Sequence, residues 1–353
     1  MHSTCCGIQF YYGKEQTRIE QMQLLVNGDP TTLSYWLNWR VFLCAIWVLT
    51  PMVIASFLIW KYDRSDNLKK SGEGRNQDEN SSSLRNQSWK PCLKEVHPLF
   101  LMFFRMIAFC LLLVAVSFDV AIHGFELFYY YTQWTFTLVT IYFGFGSLLS
   151  MHGCFHHLKI NNSRISKDTE QGLYVPIASE ADGNGVKLLE RFYHPGKSHA
   201  LLPAGFWDNL FQALFQMTAG AVIITDMVYW CVIFPFIVLR DYEMNFLTVV
   251  THTLNAILLL GDTALNSLEF QWFGISYFII LTGIYVIFQW IVHACVAMWW
   301  PYPFLDLSAP HAPLWYLVVA AMHVPCYGIF LLVFKVKHFL FSRWFPHSYQ
   351  CRP

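Results

Sequence analysis

The sequence predicts an all-α membrane protein, a multipass bundle of about seven transmembrane helices. Three observations predict it. Hydrophobic residues make up 55% of the 353 positions and charged residues 13%, against about 25% charged in soluble domains. The apolar residues fall in runs of about 20, enough to carry a helix across roughly 30 Å of hydrocarbon with its backbone groups paired internally. Aromatic residues reach 18%, which suits belts at both membrane interfaces.

Seven runs have the required length: 41–60, 98–122, 132–154, 210–239, 245–267, 274–299 and 314–336. The last six form a core over 98–338. The first is an extra helix that follows an N-terminal segment, 1–40. That segment is too polar for a signal peptide, so the first helix is expected to direct insertion uncleaved. The fourth run is long enough to tilt, or to kink at Pro235. The fifth is interrupted by Thr248, Thr251, His252, Thr253, Asn255 and Asp262, which reads as a helix enclosed by others. The stretches 61–97 and 155–205 are rich in Lys, Asn, Ser and Glu and cannot bury enough apolar surface to order themselves. Both are expected to be poorly ordered loops. Residues 339–353 are a C-terminal tail.

Charge sets the direction. Seven spans put 61–97, 155–205 and the C-terminal tail on one side. The other side carries only Lys14, Arg18, Arg40 and Arg240 as basic residues. The positive-inside rule places the basic side in the cytoplasm. Asn80, Asn86 and Asn161 open formal glycosylation motifs and are expected to stay unmodified there. A net charge of zero gives no basic field for nucleic acid. The lipid bilayer is the partner the composition implies. The cysteines lie singly except Cys5-Cys6, with no CxxC pair, and read as free thiols that pack as small hydrophobes.

Ionisable residues within a span are costly and mark function by default. Asp119 lies near the end of span two, Thr132 opens span three, and Asp226 is past the middle of span four. His252, His293 and His323 lie in spans five, six and seven. With alternating directions, all six fall toward one leaflet. Each also has a plain structural role open to it. A threonine can bond a carbonyl one turn back, a histidine can join two helices, and a buried carboxyl can pack protonated. The chemical reading is a threonine nucleophile with a histidine base, since a hydroxyl needs a base to take its proton. Asp119 or Asp226 would orient or support the imidazole. No GxSxG elbow is present. No metal or organic cofactor is called for.

Three blocks carry a resemblance. Tyr130-Tyr131-Thr132-Gln133-Trp134 opens span three, Thr251-His252-Thr253 lies in span five, and Trp299-Trp300-Pro301-Tyr302-Pro303-Phe304-Leu305 precedes span seven. In order and spacing they resemble the androgen-induced-gene family of membrane proteins over roughly 126–336. The extra first helix and long loops look more like its rolling-stone-like branch. The resemblance implies an intramembrane threonine hydrolase of lipid esters, such as fatty acid esters of hydroxy fatty acids, with Thr132 as nucleophile and His252 as base. The chain departs from the family where Thr248-Val249 replaces an Asn-His pair. The branch implies the alternative, a non-catalytic protein acting in adhesion, fusion or membrane organisation. His152, His156 and His157 form an HxxxHH pattern, but no second histidine box supports a di-iron oxidase. Neither a DRY nor an NPxxY motif supports a receptor. Asp226 and Pro235 lend slight support to a transporter.

Overall fold

The computed structural model describes residues 29–72, 88–171, 204–231, 234 and 246–351. They are helical nearly throughout, and the fold class matches the expectation. After a single turn, Leu33–Trp36, come α1 (Trp39–Gly72), α2 (Pro98–His123), α3 (Tyr131–Gln171), α4 (Ala204–Val228), α5 (Phe246–Thr251), α6 (Leu254–Leu265), α7 (Ile275–Cys295) and α8 (Ala312–Trp344). Seven stretches are long and apolar enough to cross a membrane: Trp39–Tyr62, Pro98–Tyr129, Tyr131–His156, Phe206–Cys231, Thr248–Leu265, Trp272–Cys295 and Ala312–Trp344.

Several boundaries differ from the sequence reading. Helix α1 runs on to Gly72 and α3 to Gln171, into the stretches expected to be loops. A helix needs no apolar residue to continue once nucleated, because propagation adds one hydrogen bond per residue fixed. Residues 88–97 are also ordered. Pro91 bridges Asn266 and Leu93 bridges Tyr349. The fourth span ends as an α-helix at Val228, and Pro235 lies outside the described residues, as do Asn80 and Asn86. The fifth span is two helices, broken between Thr251 and Leu254, where Thr253 leaves the helical conformation. The last helix continues to Trp344, through part of the stretch read as a tail.

Helix α4 is the centre of the bundle. Its window is 61% buried, against 11% for α1. One face, with Phe211, Phe215 and Val222, packs with Phe136, Val139 and Phe143 of α3, Leu112 of α2 and Leu259 of α6. The other, with Ala221 and Ile224, packs with Phe278 and Tyr285 of α7 and Cys326 of α8. Helix α1 lies outside, against α7 and α8. A Cβ at Gly283 of α7 would overlap the Met52 thioether of α1, so the missing side chain lets the two helices meet. The bundle has two distinct ends. At one, Cys92, Asn266 and Gln350 join the 88–97 segment to the end of α6 and the C-terminus. At the other, Tyr302 and Asp306, in the 296–311 connection, meet the start of α3 and Tyr35.

Within the membrane, α2, α3 and α6 are tied by an ion pair that is fully buried. Arg105 Nε lies 2.7 Å from Asp262 Oδ1, and both side chains have no exposure. Arg105 also donates to the Ser88 carbonyl at 2.7 Å and to Ser150 Oγ at 2.8 Å. Tyr142 and Asn266 donate to Asp262. Every charge here has hydrogen-bonded partners, the condition under which an ion pair survives in a low dielectric.

Candidate functional site

Asp119, Thr132, Asp226, His252, His293 and His323 all lie in the half of their helices nearer the Tyr302 end. They do not form one cluster. Asp119 takes His123, one turn on in α2, as its partner at 2.9 Å. Its contact is therefore within its own helix and not with the His252 imidazole. His293 stacks on Trp300 with ring centroids 3.7 Å apart, and its Nδ1 lies 2.7 Å from the Gln289 carbonyl oxygen.

Asp226 and His252 do come together. Asp226 lies in the last turn of α4, and His252 sits in the break between α5 and α6. His252 Nδ1 is 3.7 Å from Asp226 Oδ1. The imidazole lies flat on Tyr229, with centroids 3.7 Å apart and planes within 6°. The His252 backbone carbonyl accepts from Trp230 Nε1 at 3.0 Å. The break in the span therefore has local support, and the ring is held by aromatic stacking. His252 Nδ1 and both Asp226 carboxylate oxygens are buried and lack a hydrogen bond within 3.5 Å. Burying such groups without partners costs free energy, and a few tenths of an ångström of closure would pair them.

Thr132 lies in the first turn of α3. There the Tyr302 hydroxyl accepts from the Tyr131 amide at 3.1 Å and lies beside Thr132. Burial pushes the Tyr302 hydroxyl above its ordinary value, so it stays protonated. The first amides of a helix have no intrahelical acceptor. Tyr302 satisfies that of Tyr131 from the 296–311 connection, as a capping side chain would. The Tyr131 amide is thus already engaged, although its position at a helix start suits an oxyanion. Rings of Tyr130, Trp299 and Tyr302 pack around the junction. The Tyr129 carbonyl accepts from Tyr285 at 2.7 Å and Gln289 at 2.8 Å. Two of the sequence blocks, Tyr130–Trp134 and Trp299–Leu305, therefore meet directly.

Depth relates Thr132 to His252. The Tyr142–Asp262 hydrogen bond joins α3 and α6 at one level. Thr132 precedes Tyr142 by ten residues and His252 precedes Asp262 by ten, along segments that run the same way. Both residues therefore lie toward the same end of the bundle.

No known protein family, curated protein or solved structure matches the chain.

Sequence reasoning noted Asp262 and His323 as polar positions in spans but did not pair them, and two further groups emerge. One is Arg105–Asp262, whose signal was available in two ionisable residues inside apolar runs. The other is Thr282 of α7 with His323 of α8, with Thr282 Oγ and His323 Nε2 2.9 Å apart. A threonine in a span gives no signal on its own, and the partner lies 41 positions away. The HxxxHH pattern falls on α3. Among the described residues no group of three or more His, Cys, Asp or Glu is arranged to hold a metal ion. Cys44, Cys92, Cys110, Cys154, Cys231, Cys295, Cys326 and Cys351 are free thiols.

Proposed function

We propose that this chain is an intramembrane hydrolase of lipid esters, such as fatty acid esters of hydroxy fatty acids, related to the androgen-induced-gene family. Thr132 is the nucleophile, His252 the base and Asp226 the group that orients the base. The observation that carries this reading is the 3.7 Å approach of Asp226 to His252 Nδ1. A carboxylate on Nδ1 favours the tautomer with its proton there and leaves Nε2 free to accept one. Stacking on Tyr229 restrains the ring in that attitude.

In the reaction, Thr132 Oγ attacks the ester carbonyl carbon as His252 Nε2 takes the hydroxyl proton. Collapse of the tetrahedral intermediate breaks the ester C–O bond, and His252 returns the proton to the leaving alcohol. Water then attacks the acyl-threonine, giving a proton to His252, and the acid departs as Thr132 regains its proton. Tyr302 holds the neighbouring Tyr131 amide at the start of α3 and thereby positions Thr132. No metal or organic cofactor is needed. The substrate enters from the bilayer, and the lysine- and arginine-rich Cys92 end faces the cytoplasm.

One observation favours a second reading. Tyr302 binds the start of α3 much as a capping group does, which gives Thr132 a structural role. In that case the chain acts without catalysis, in adhesion, fusion or membrane organisation. Labelling with an alkyl fluorophosphonate, with the modified peptide mapped, tests between them. The hydrolase reading expects an adduct on Thr132 that is retained on Ser in Thr132→Ser and lost in His252→Ala. A folded protein with no adduct on Thr132 contradicts it.

A further inference from the structure

Cys92 and Cys351 meet where the chain after α8 lies beside the 88–97 segment. The two stretches run antiparallel. The Lys94 amide donates to the Ser348 carbonyl at 2.8 Å, and the Gln350 amide donates to the Cys92 carbonyl at 3.0 Å. Leu93 and Tyr349 bridge between these bonds. In such a ladder, opposite and diagonal residues bring their side chains within reach, and the Cys351 thiol donates a hydrogen bond to the Cys92 sulfur. Each stretch is also held from behind. The Cys92 amide donates to the Leu265 carbonyl at 2.8 Å, and Ser267 Oγ donates to the Lys90 carbonyl at 3.0 Å. Across the ladder, Ser348 Oγ donates to the Glu95 carboxylate, and the Tyr349 hydroxyl pairs with His338. The backbone, and not a chance rotamer, brings the two sulfurs together.

A buried ammonium completes the group. Lys337 of α8 is 7% exposed. Its Nζ donates to the Asn266 carbonyl at 2.7 Å, which satisfies a hydrogen bond but does not neutralise the charge. Asp262 acts on it electrostatically but is already paired with Arg105. The other groups that act on Lys337 are Cys92 and Cys351. A buried cation is costly without an anion, and a thiolate supplies one. A thiol that only packs as a small hydrophobe has no use for a cation, whereas a thiol beside a lysine is the reactive kind. While Cys92 keeps its proton, the Ala264 carbonyl at 3.0 Å accepts it. Cys92 is 1% exposed, and Cys351 is half-buried above it.

We propose that Cys92 and Cys351 form a redox site, a pair of thiols that hydrogen peroxide converts to a disulfide with Lys337 holding the attacking thiolate. This inference does not depend on the roles of Thr132 and His252. Only its reversal rests on the proposed orientation, since disulfides on the cytoplasmic side are transient and are reduced again by small thiols. The Cys92 thiolate attacks one peroxide oxygen, and the O–O bond breaks. Cys92 becomes a sulfenic acid, and the departing hydroxide becomes water with the Cys351 proton. The Cys351 thiolate then attacks the Cys92 sulfur. The S–O bond breaks, and this second hydroxide becomes water with a proton from solvent, replacing the one Cys92 gave up. Two thiols and one peroxide thus yield one disulfide and two waters, with the two electrons passing from sulfur to oxygen. Hydrogen peroxide is small enough to reach a sulfur that is nearly covered. The disulfide ties the chain after α8 to the 88–97 segment and removes the anion beside Lys337. That change reaches α6 through Asn266, which donates to Asp262 at 2.8 Å.

The test uses the purified full chain, reduced with dithiothreitol, freed of it and treated with hydrogen peroxide. Remaining thiols are blocked, and the peptides are mapped by mass spectrometry without reduction. The expected result is a Cys92–Cys351 linked peptide that dithiothreitol removes. It is expected to form about tenfold faster in the folded chain than in the same chain unfolded in dodecyl sulfate. Lys337→Met removes the charge. It is expected to slow the linkage about threefold or more near pH 7. The rate is expected to recover toward wild type above the ordinary thiol value of 9.0, a pattern that misfolding does not produce. Cys351→Ser is expected to stop at the Cys92 sulfenic acid, which dimedone traps. A folded chain that gives no linked peptide overturns the inference, as does linkage at the same rate in the unfolded chain. Bonds from Cys92 and Cys351 to other cysteines in place of each other also overturn it. A rate in Lys337→Met equal to wild type near pH 7 overturns the assignment of Lys337.

Discussion

Arg105 and Asp262 face each other in a paired contact, with Nε to Oδ1 at 2.7 Å and Nη2 to Oδ2 at 3.3 Å. They are 157 positions apart in the chain and join α2 to α6. Removing one partner strands the other charge inside the bundle. Arg105→Met or Asp262→Asn alone is expected to cost about 3–5 kcal/mol. The double variant Arg105→Met/Asp262→Leu is expected to cost less than the sum, since neither charge remains. Unfolding in mixed micelles with increasing denaturing detergent measures both. Additive losses would mean that the two side chains act independently.

Tyr302 acts at the opposite end of the bundle. Tyr302→Phe keeps the ring against Tyr130 and Phe304 and removes only the oxygen that serves the Tyr131 amide. A loss of about 0.5–2 kcal/mol is expected, the range for removing a helix cap. The same detergent titration reads it. Faster amide hydrogen exchange at Tyr131 and Thr132 is expected alongside, with little change in the middle of α3. Unaltered exchange at these two amides would show that Tyr302 does not protect them.

Cys92 supplies a pH-dependent signal. Its thiol is pulled down to about 7 by a hydrogen bond with Cys351, with burial opposing and the Lys337 cation assisting. Because the folded value lies below the ordinary 9.0, the thiolate contributes fully to stability above that ordinary value. The contribution is lost as pH falls through about 7. Alkylation by iodoacetamide, mapped to the Cys92 peptide, is expected to show a midpoint near 7 in wild type. A higher midpoint is expected in Cys351→Ala. An unmoved midpoint would remove Cys351 as the cause.

Much of the fold was legible because membrane insertion leaves a one-dimensional record. A run of about 20 apolar residues is needed wherever a helix crosses, and all seven were visible. The interruption of span five was visible too, and it proved to be a break at His252. Helix ends beyond the membrane were not legible, since Tyr62–Gly72 and the α3 extension to Gln171 are polar and carry no apolar period. Thr132, Asp226 and His252 could be singled out as polar groups in spans. For His252 the sequence offered both Asp119 and Asp226 and could not choose between them, because Asp226 approaches it from another helix; Tyr302 gave no signal, because it reaches the start of α3 from a distant connection. The Thr282–His323 contact was hidden for the same reason. Sequence locates polar residues along a helix, while the packing of α7 against α8 decides which of them touch.

The most direct test of the central claim is the release of fatty acid from a fatty acid ester of a hydroxy fatty acid by the purified protein. Turnover is expected, falling about 100-fold or more in Thr132→Ala and His252→Ala and less in Asp226→Asn, with Thr132→Ser retaining part of it. Turnover that survives both Thr132→Ala and His252→Ala, or its absence from a folded wild-type protein, would contradict the claim.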